Sequence, residues 1–377
     1  MLGQMTPFLV MEVLEEAQKL ERQGVDVIHL EVGEPDFDMP ECAVSAAAAA
    51  GTQGHTHYTH SLGDRGLRET LARFYGKEYG VEVDPDCIVI TSGSSPAILL
   101  TLQVLCGCGD EVILSNPGYP CYRNFALACN AVPKEVKITA ANGFQYDPAA
   151  IRAAITPRTR AVFVNSPMNP TGVLMKDSVF KELAELGVPL VSDEIYHGLV
   201  YEGRARCALE FTNEAFVLNG FSKRFAMTGL RLGYLIAPKQ YIRPLQILQQ
   251  NLFICASSTA QKAGIAVLEH GAEVVEAMRR TYDERRLYLL KRLRAMGFVI
   301  QQDPMGAFYI LADARRFTTD SYAFAFDVLR KAGVGITPGV DFGTEGEGFV
   351  RFSYANKLER IAEAMNRLEK YLSGLKA

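Results

Sequence analysis

The sequence predicts an α/β protein, a mainly parallel sheet covered by helices on both faces, accompanied by a smaller α+β domain. Three observations lead there. The middle of the chain alternates short apolar runs with helical patterns, as repeated strand–helix units do. Those runs are rich in Val and Ile and do not alternate with polar residues, which suits strands buried on both faces. The chain is also 377 residues long, more than one hydrophobic core usually serves.

In chain order the strand candidates are Cys87–Thr91, Glu111–Leu114, Ala161–Asn165, Pro189–Asp193, Phe216–Asn219 and Tyr234–Ala237. Helical patterns lie between most of them, as in Pro96–Leu105, Pro120–Cys129 and Lys176–Leu186. Ser95 reads as the N-cap of the first of these, with Pro96 at its first helical position. Beyond the last strand long helical patterns cover about Thr259–Met296. Two short strands, Phe308–Leu311 and Gly348–Ser353, then follow among helices. Residues 41–275 are therefore assigned to the large domain, and residues 1–40 with 276–377 to the small one.

Composition narrows the classes of function. Hydrophobic residues make up 48% and charged residues 22%, with a net charge of −4, which fits a globular protein and offers no basic footprint for nucleic acid. Apolar stretches such as Ala43–Ala50 are too short to span a membrane. The opening Met1-Leu-Gly-Gln-Met-Thr-Pro has no basic segment followed by an apolar one, so a cytoplasmic protein is expected. The eight cysteines are scattered. Cys106 and Cys108 lack a second pair to complete a zinc site, and His55, His57 and His60 lack carboxylate or thiol partners, so no metal is expected.

The candidate chemistry falls at strand ends, where ligands of such sheets collect. Thr91-Ser-Gly-Ser-Ser-Pro-Ala97 follows a strand and opens a helix, either a plain capped helix or an anion cradle. Asn116-Pro-Gly-Tyr-Pro-Cys-Tyr122 carries Tyr119, a turn tyrosine packed on the core or a ring that lies flat against a ligand. Asn165-Ser-Pro-Met-Asn-Pro-Thr-Gly172 is a turn by its chemistry. Ser192-Asp-Glu-Ile-Tyr196 places Asp193 at a buried strand end, where a carboxylate is costly unless paired; Glu194 reads as structural. In Asn219-Gly-Phe-Ser-Lys-Arg-Phe-Ala-Met-Thr-Gly-Leu-Arg-Leu-Gly-Tyr234, a Ser-Lys pair precedes Arg231 by eight residues, an amine able to attack a carbonyl near a guanidinium able to neutralise a phosphate. Phe349-Val-Arg-Phe-Ser353 sets one charge among apolar residues, a buried ion pair or an anion receptor.

In this order, from about Pro7 to Tyr371, these runs resemble the class I/II aminotransferases, pyridoxal-phosphate (PLP) enzymes of fold type I, and within them the bacterial aspartate and aromatic subgroup. The resemblance implies a mainly parallel seven-stranded sheet in the large domain. It also implies transfer of an amino group from an L-amino acid to a 2-oxo acid by a ping-pong cycle between PLP and pyridoxamine phosphate. Lys223 is the matching Schiff-base lysine. Asp193 would pair with the protonated pyridine nitrogen, so that the ring acts as an electron sink. Asn169 and Tyr196 would bond the phenolic oxygen. Ser94, Ser95, Ser222 and Arg231 would hold the phosphate, and Tyr119 would stack on the ring. Arg351 and Gly33 would hold the substrate α-carboxylate. Tyr58, in His57-Tyr-Thr-His-Ser-Leu-Gly-Asp64, would reach the neighbouring subunit's phosphate and make the homodimer obligatory.

The chain departs from the family pattern in two places. Some aspartate-specific members carry a lysine where Ser95 stands, which weakens the case for aspartate. Trp is absent altogether, so the stacking position holds Tyr119. No second arginine is placed to read a dicarboxylic substrate. Side-chain specificity would depend on loops that include Pro7–Phe8 and Phe253–Ser258. A PLP-dependent β-elimination lyase on the same scaffold would use the same Asp193, Lys223 and Arg231. A PLP-binding regulator would need an added DNA-binding domain, and no basic helix-turn-helix segment is read here.

Overall fold

The computed structural model describes residues 2–374. Its strands are β1 (Ile28–His29), β2 (Ile88–Thr91), β3 (Glu111–Asn116), β4 (Val132–Lys137), β5 (Thr159–Asn165), β6 (Leu190–Asp193), β7 (Phe216–Gly220), β8 (Gly233–Ile236), β9 (Tyr309–Asp313), β10 (Val334–Gly335), β11 (Thr337–Pro338) and β12 (Phe349–Ser353). Seven of them form the central sheet in the order β2-β8-β7-β6-β5-β3-β4. Strands β3 to β7 pair in parallel, whereas β8 runs antiparallel to both β2 and β7. The chain is thus α/β, with a mostly parallel sheet as its centre.

Side chains of one strand feed two cores. Along β5, Val162 and Val164 enter a cluster with Ile90, Val217 and Phe180. Ala161 and Phe163 enter a second cluster with Leu114, Val191 and Leu218. Both faces are dry, which is why the sequence of β5 shows no polar alternation. A third cluster joins Ile28 and Leu30 to Tyr282, Leu289, Phe308, Ile310, Phe352 and Leu368 around the antiparallel sheet β11-β12-β9. Strand β1 pairs with β10 and brings the N-terminal segment onto this core.

The helix Ala272–Met296 passes from one core to the other, since Val275 packs with the large sheet and Met278 with the smaller one. The helical patterns expected over about Thr259–Met296 are two helices, Ser258–His270 and Ala272–Met296, with Gly271 between them. The helix Leu9–Arg22 packs Val13 and Ala17 against Val27, Phe326 and Leu329 in a separate, smaller cluster.

Two sequence expectations need correction. The helix after β2 is Ser94–Leu105, with Gly93 as N-cap at φ 98°, so Ser95 lies inside its first turn and Pro96 beyond its first position. Gly93 takes the cap because the chain turns there through a left-handed conformation that Ser avoids. Strand β4 has no counterpart among the strand candidates. It is an edge strand, Val-Pro-Lys-Glu-Val-Lys, exposed along much of its length, and charge and proline on an edge hide the strand pattern. Among the described residues no helix is long and apolar enough to cross a membrane, and no cluster of His, Cys, Asp or Glu is disposed to hold a metal ion.

Candidate active site

A cavity of about 480 Å³ opens where the two cores meet, at the C-terminal ends of β5 and β6. Ten of the sequence-predicted residues line it: Gly33, Ser94, Ser95, Tyr119, Asn169, Asp193, Tyr196, Lys223, Arg231 and Arg351. Ser222 is buried beside Lys223 but does not line the cavity. Tyr58 lies apart, 80% exposed.

Strand register builds the floor. β5 and β6 pair so that Asn165 stands opposite Asp193. Asn165 donates through Nδ2 to the Asp193 carbonyl at 2.9 Å and accepts from the Asn169 N–H at 2.8 Å, which folds the following turn back over the strand end. The Asp193 carboxylate accepts from the Tyr122 hydroxyl at 2.6 Å and from the Ile195 N–H at 3.1 Å. No cation bonds it, and burial raises its pKa to about 6 against the pull of the Tyr122 hydrogen bond. Glu194, on the other side of the strand, is likewise buried and pushed up to about 8 by burial. It accepts from Ser192 Oγ and the Ala208 N–H, away from the cavity.

The opposite wall comes from the smaller sheet. Arg351 is only 2% exposed. Its position on β12 faces Thr337 of β11, and its guanidinium donates to Asn169 Oδ1 at 2.9 Å, to Thr337 Oγ1 at 3.1 Å and to the Glu31 carbonyl. It stacks 4.2 Å over the Tyr309 ring, and its Nε has no partner. None of these contacts is a carboxylate. The Tyr196 and Tyr309 hydroxyls meet at 2.9 Å beside it.

Lys223 sits between floor and wall. Its Nζ donates to the Gly33 carbonyl at 2.7 Å. Desolvation, reinforced by the charges of Arg231 and Arg351 and opposed by Glu34, lowers its pKa to about 8. With that pKa roughly a tenth of the amine is unprotonated at pH 7, far more than for an ordinary lysine, and the free base is the form a nucleophile requires.

At the third corner, the helix Ser94–Leu105 presents its N-terminus with no side chain capping it, so its first amides stay free for an anion. Arg231, itself at φ 50°, donates to the Thr228 carbonyl at 2.9 Å rather than to an acid. Its guanidinium fills the space a side chain on Gly93 would need, since a Cβ there would stand 2.5 Å from Arg231 Nη2.

Two buried charges of opposite sign, Asp193 and Arg351, thus share one cavity without bonding each other, beside a low-pKa amine and an anion cradle. Isolated buried charges are costly unless a counter-charge arrives. The donor set therefore fits a ligand with a phosphate, a protonated ring nitrogen facing Asp193, and a carboxylate-bearing substrate facing Arg351.

Residue patterns missed several of the contacts. Tyr122, which holds Asp193, lies in the same short run as Tyr119, but nothing in its spacing marks it. Tyr309, Thr337 and the Glu31 carbonyl, which hold Arg351, come from three separate stretches that only the folded chain unites. Phe8, Met11 and Leu14 line the cavity from the N-terminal segment; of these, the sequence pointed only to Phe8.

Comparison with known proteins agrees with this geometry. The family described as aminotransferase class I and II matches residues 25–368. The chain is 38% identical to a (5-formylfuran-3-yl)methyl phosphate transaminase of Methanocaldococcus jannaschii, over 97% of each chain. It is 39% identical to an aspartate/prephenate aminotransferase of Thermus thermophilus, over 98% of this chain and 97% of the relative. A solved aspartate aminotransferase from Thermus thermophilus with maleate superposes with a TM-score of 0.94 at 38% identity, covering 98% of both chains.

Proposed function

This chain belongs to the class I and II aminotransferases and moves an amino group from an amino acid to a 2-oxo acid, and from that premise we propose that its cavity holds pyridoxal 5′-phosphate. The observation that carries the proposal is the pair of buried charges, Asp193 and Arg351, neither held in an ion pair, set about one lysine of lowered pKa. When bound, PLP supplies a carbonyl that condenses with amines and a ring that draws electrons from the substrate α-carbon.

The chain's own residues do the rest. Arg231 and the free amides at Ser94 and Ser95 hold the phosphate, with Ser222 next to Lys223 assisting. Asp193, kept in place by Tyr122, holds a proton on the ring nitrogen. Tyr119 would lie against the ring, and Asn169 and Tyr196 would donate to its phenolic oxygen. Lys223 would hold the cofactor's carbonyl carbon and, as a free amine, would carry a proton away from the substrate α-carbon. Arg351 grips the α-carboxylate through its fork, and the Gly33 N–H adds to that grip. A second copy of the chain completes the site, with the exposed Tyr58 reaching the partner's phosphate.

The test is a half-reaction. The PLP-loaded protein is mixed with one amino acid and no oxo acid. The expected result is loss of the visible cofactor band with one equivalent of 2-oxo acid formed per site. Continuous release of ammonia with the band intact would move the chain to the elimination reading.

A further inference from the structure

We propose that the substrate side chain of this enzyme is uncharged and apolar, aromatic or large aliphatic, and that acidic amino acids are poor substrates. The inference rests on the functional assignment above and adds the substrate class to it.

The charges around the cavity carry the proposal. Among the described residues lining it, the cations are Lys223, Arg231 and Arg351. All three are already committed, Lys223 as nucleophile, Arg231 to the phosphate and Arg351 to the α-carboxylate. A second carboxylate on the substrate would find no further cation among the residues of this chain that line the cavity. The apolar lining of the same cavity includes Phe8, Met11, Leu14, Val32, Ile98 and Tyr119. Phe8 meets Tyr119 edge to face at 6.0 Å, which closes that wall between the N-terminal segment and the large sheet. The acid at the rim, Glu34, is held by Thr228 Oγ1 at 2.5 Å and would repel a substrate carboxylate. A desolvated carboxylate without a partner is strongly disfavoured, whereas an apolar side chain gains from the same wall.

Met11 and Leu14 sit on the helix Leu9–Arg22, whose Val13 and Ala17 are buried against Phe326 and Leu329. Asp341 holds the start of this helix, accepting from the Leu9 N–H at 2.9 Å and the Val10 N–H at 3.2 Å. Met11 and Leu14 therefore occupy fixed places over the cavity.

The experiment measures binding apart from turnover. Calorimetry on the PLP-loaded protein compares 3-phenylpropionate with succinate; each offers Arg351 one carboxylate, and neither has an amine to react. The expected result is that 3-phenylpropionate binds at least about 10-fold more tightly. Equal or tighter binding of succinate overturns the inference, as does failure of both to bind. In the Met11→Lys variant, whose parent side chain is 46% exposed and so tolerant of change, the preference should fall by roughly 10-fold as a cation enters the wall. An unchanged preference in that variant removes the helix from the specificity wall. Failure of the transamination reading is seen separately, as a cofactor band that no amino acid alters.

Discussion

Arg351 donates to the Asn169 side-chain oxygen at 2.9 Å, and this one bond ties the smaller sheet to the turn that follows β5 of the larger. The residues are 182 positions apart in sequence. The bond fixes the guanidinium while leaving it without a counter-ion, so its electrostatic demand remains for a ligand to meet.

Removing the acceptor should loosen that grip without removing the charge. Asn169→Ala is expected to cost about 1.5–3 kcal/mol, the range for a hydrogen bond to a charged group. The loss should appear mainly as a raised KM for the amino acid. An unaltered KM in steady-state kinetics would mean that Asn169 does not orient Arg351.

Arg351→Ala removes the proposed carboxylate clamp itself. The expected loss in kcat/KM is about 2–5 kcal/mol, roughly 30- to 5000-fold. Binding of a simple carboxylate such as 3-phenylpropionate should weaken in parallel. Retention of that binding would place the carboxylate elsewhere.

Lys223→Ala should lower turnover by roughly 1000-fold or more, since it removes the residue proposed as both nucleophile and proton carrier. The loaded variant should also lack the absorption band of lysine-bound cofactor. Near-normal turnover would sink the assignment of this lysine.

Asp193 gives a pH-dependent prediction for the cofactor-free protein. Its folded pKa is about 6 against an ordinary 3.8, because burial disfavours the charge. The folded state therefore holds this proton more tightly than the unfolded chain. Its contribution is most favourable below pH 4 and declines as pH rises to about 6, by about 3 kcal/mol in total. Asp193→Asn abolishes that decline, so its Tm advantage over the parent should grow between pH 4 and 6 while activity is lost. A Tm difference independent of pH would show that the carboxyl is not held in its neutral form.

The shared-site proposal is tested by mixing subunits. Lys223→Ala and Tyr58→Ala homodimers should each be weak. In a random mixture about a quarter of the sites regain both residues, as two-fold symmetry requires. No recovery after verified subunit exchange would confine Tyr58 to its own subunit.

The sequence by itself determined the class of fold and the family. Unalternated Val and Ile runs report strands buried on both faces, and turn residues punctuate them at fixed places; both are local properties that short stretches carry alone. The lysine run, Asn165–Gly172 and Ser192–Tyr196 were legible for the same reason, each being contiguous. Strand β4 was not, because an edge strand has no buried face to mark it. The cap at Gly93 was not, because a left-handed turn is chosen by the space that Arg231 occupies. The ring of contacts around Arg351 was decided only by tertiary structure, since Glu31, Asn169, Tyr309 and Thr337 become neighbours only when two sheets pack. So was the apolar wall: whether Met11 and Leu14 face solvent, core or substrate depends on where their helix docks, and that is set by packing at a distance.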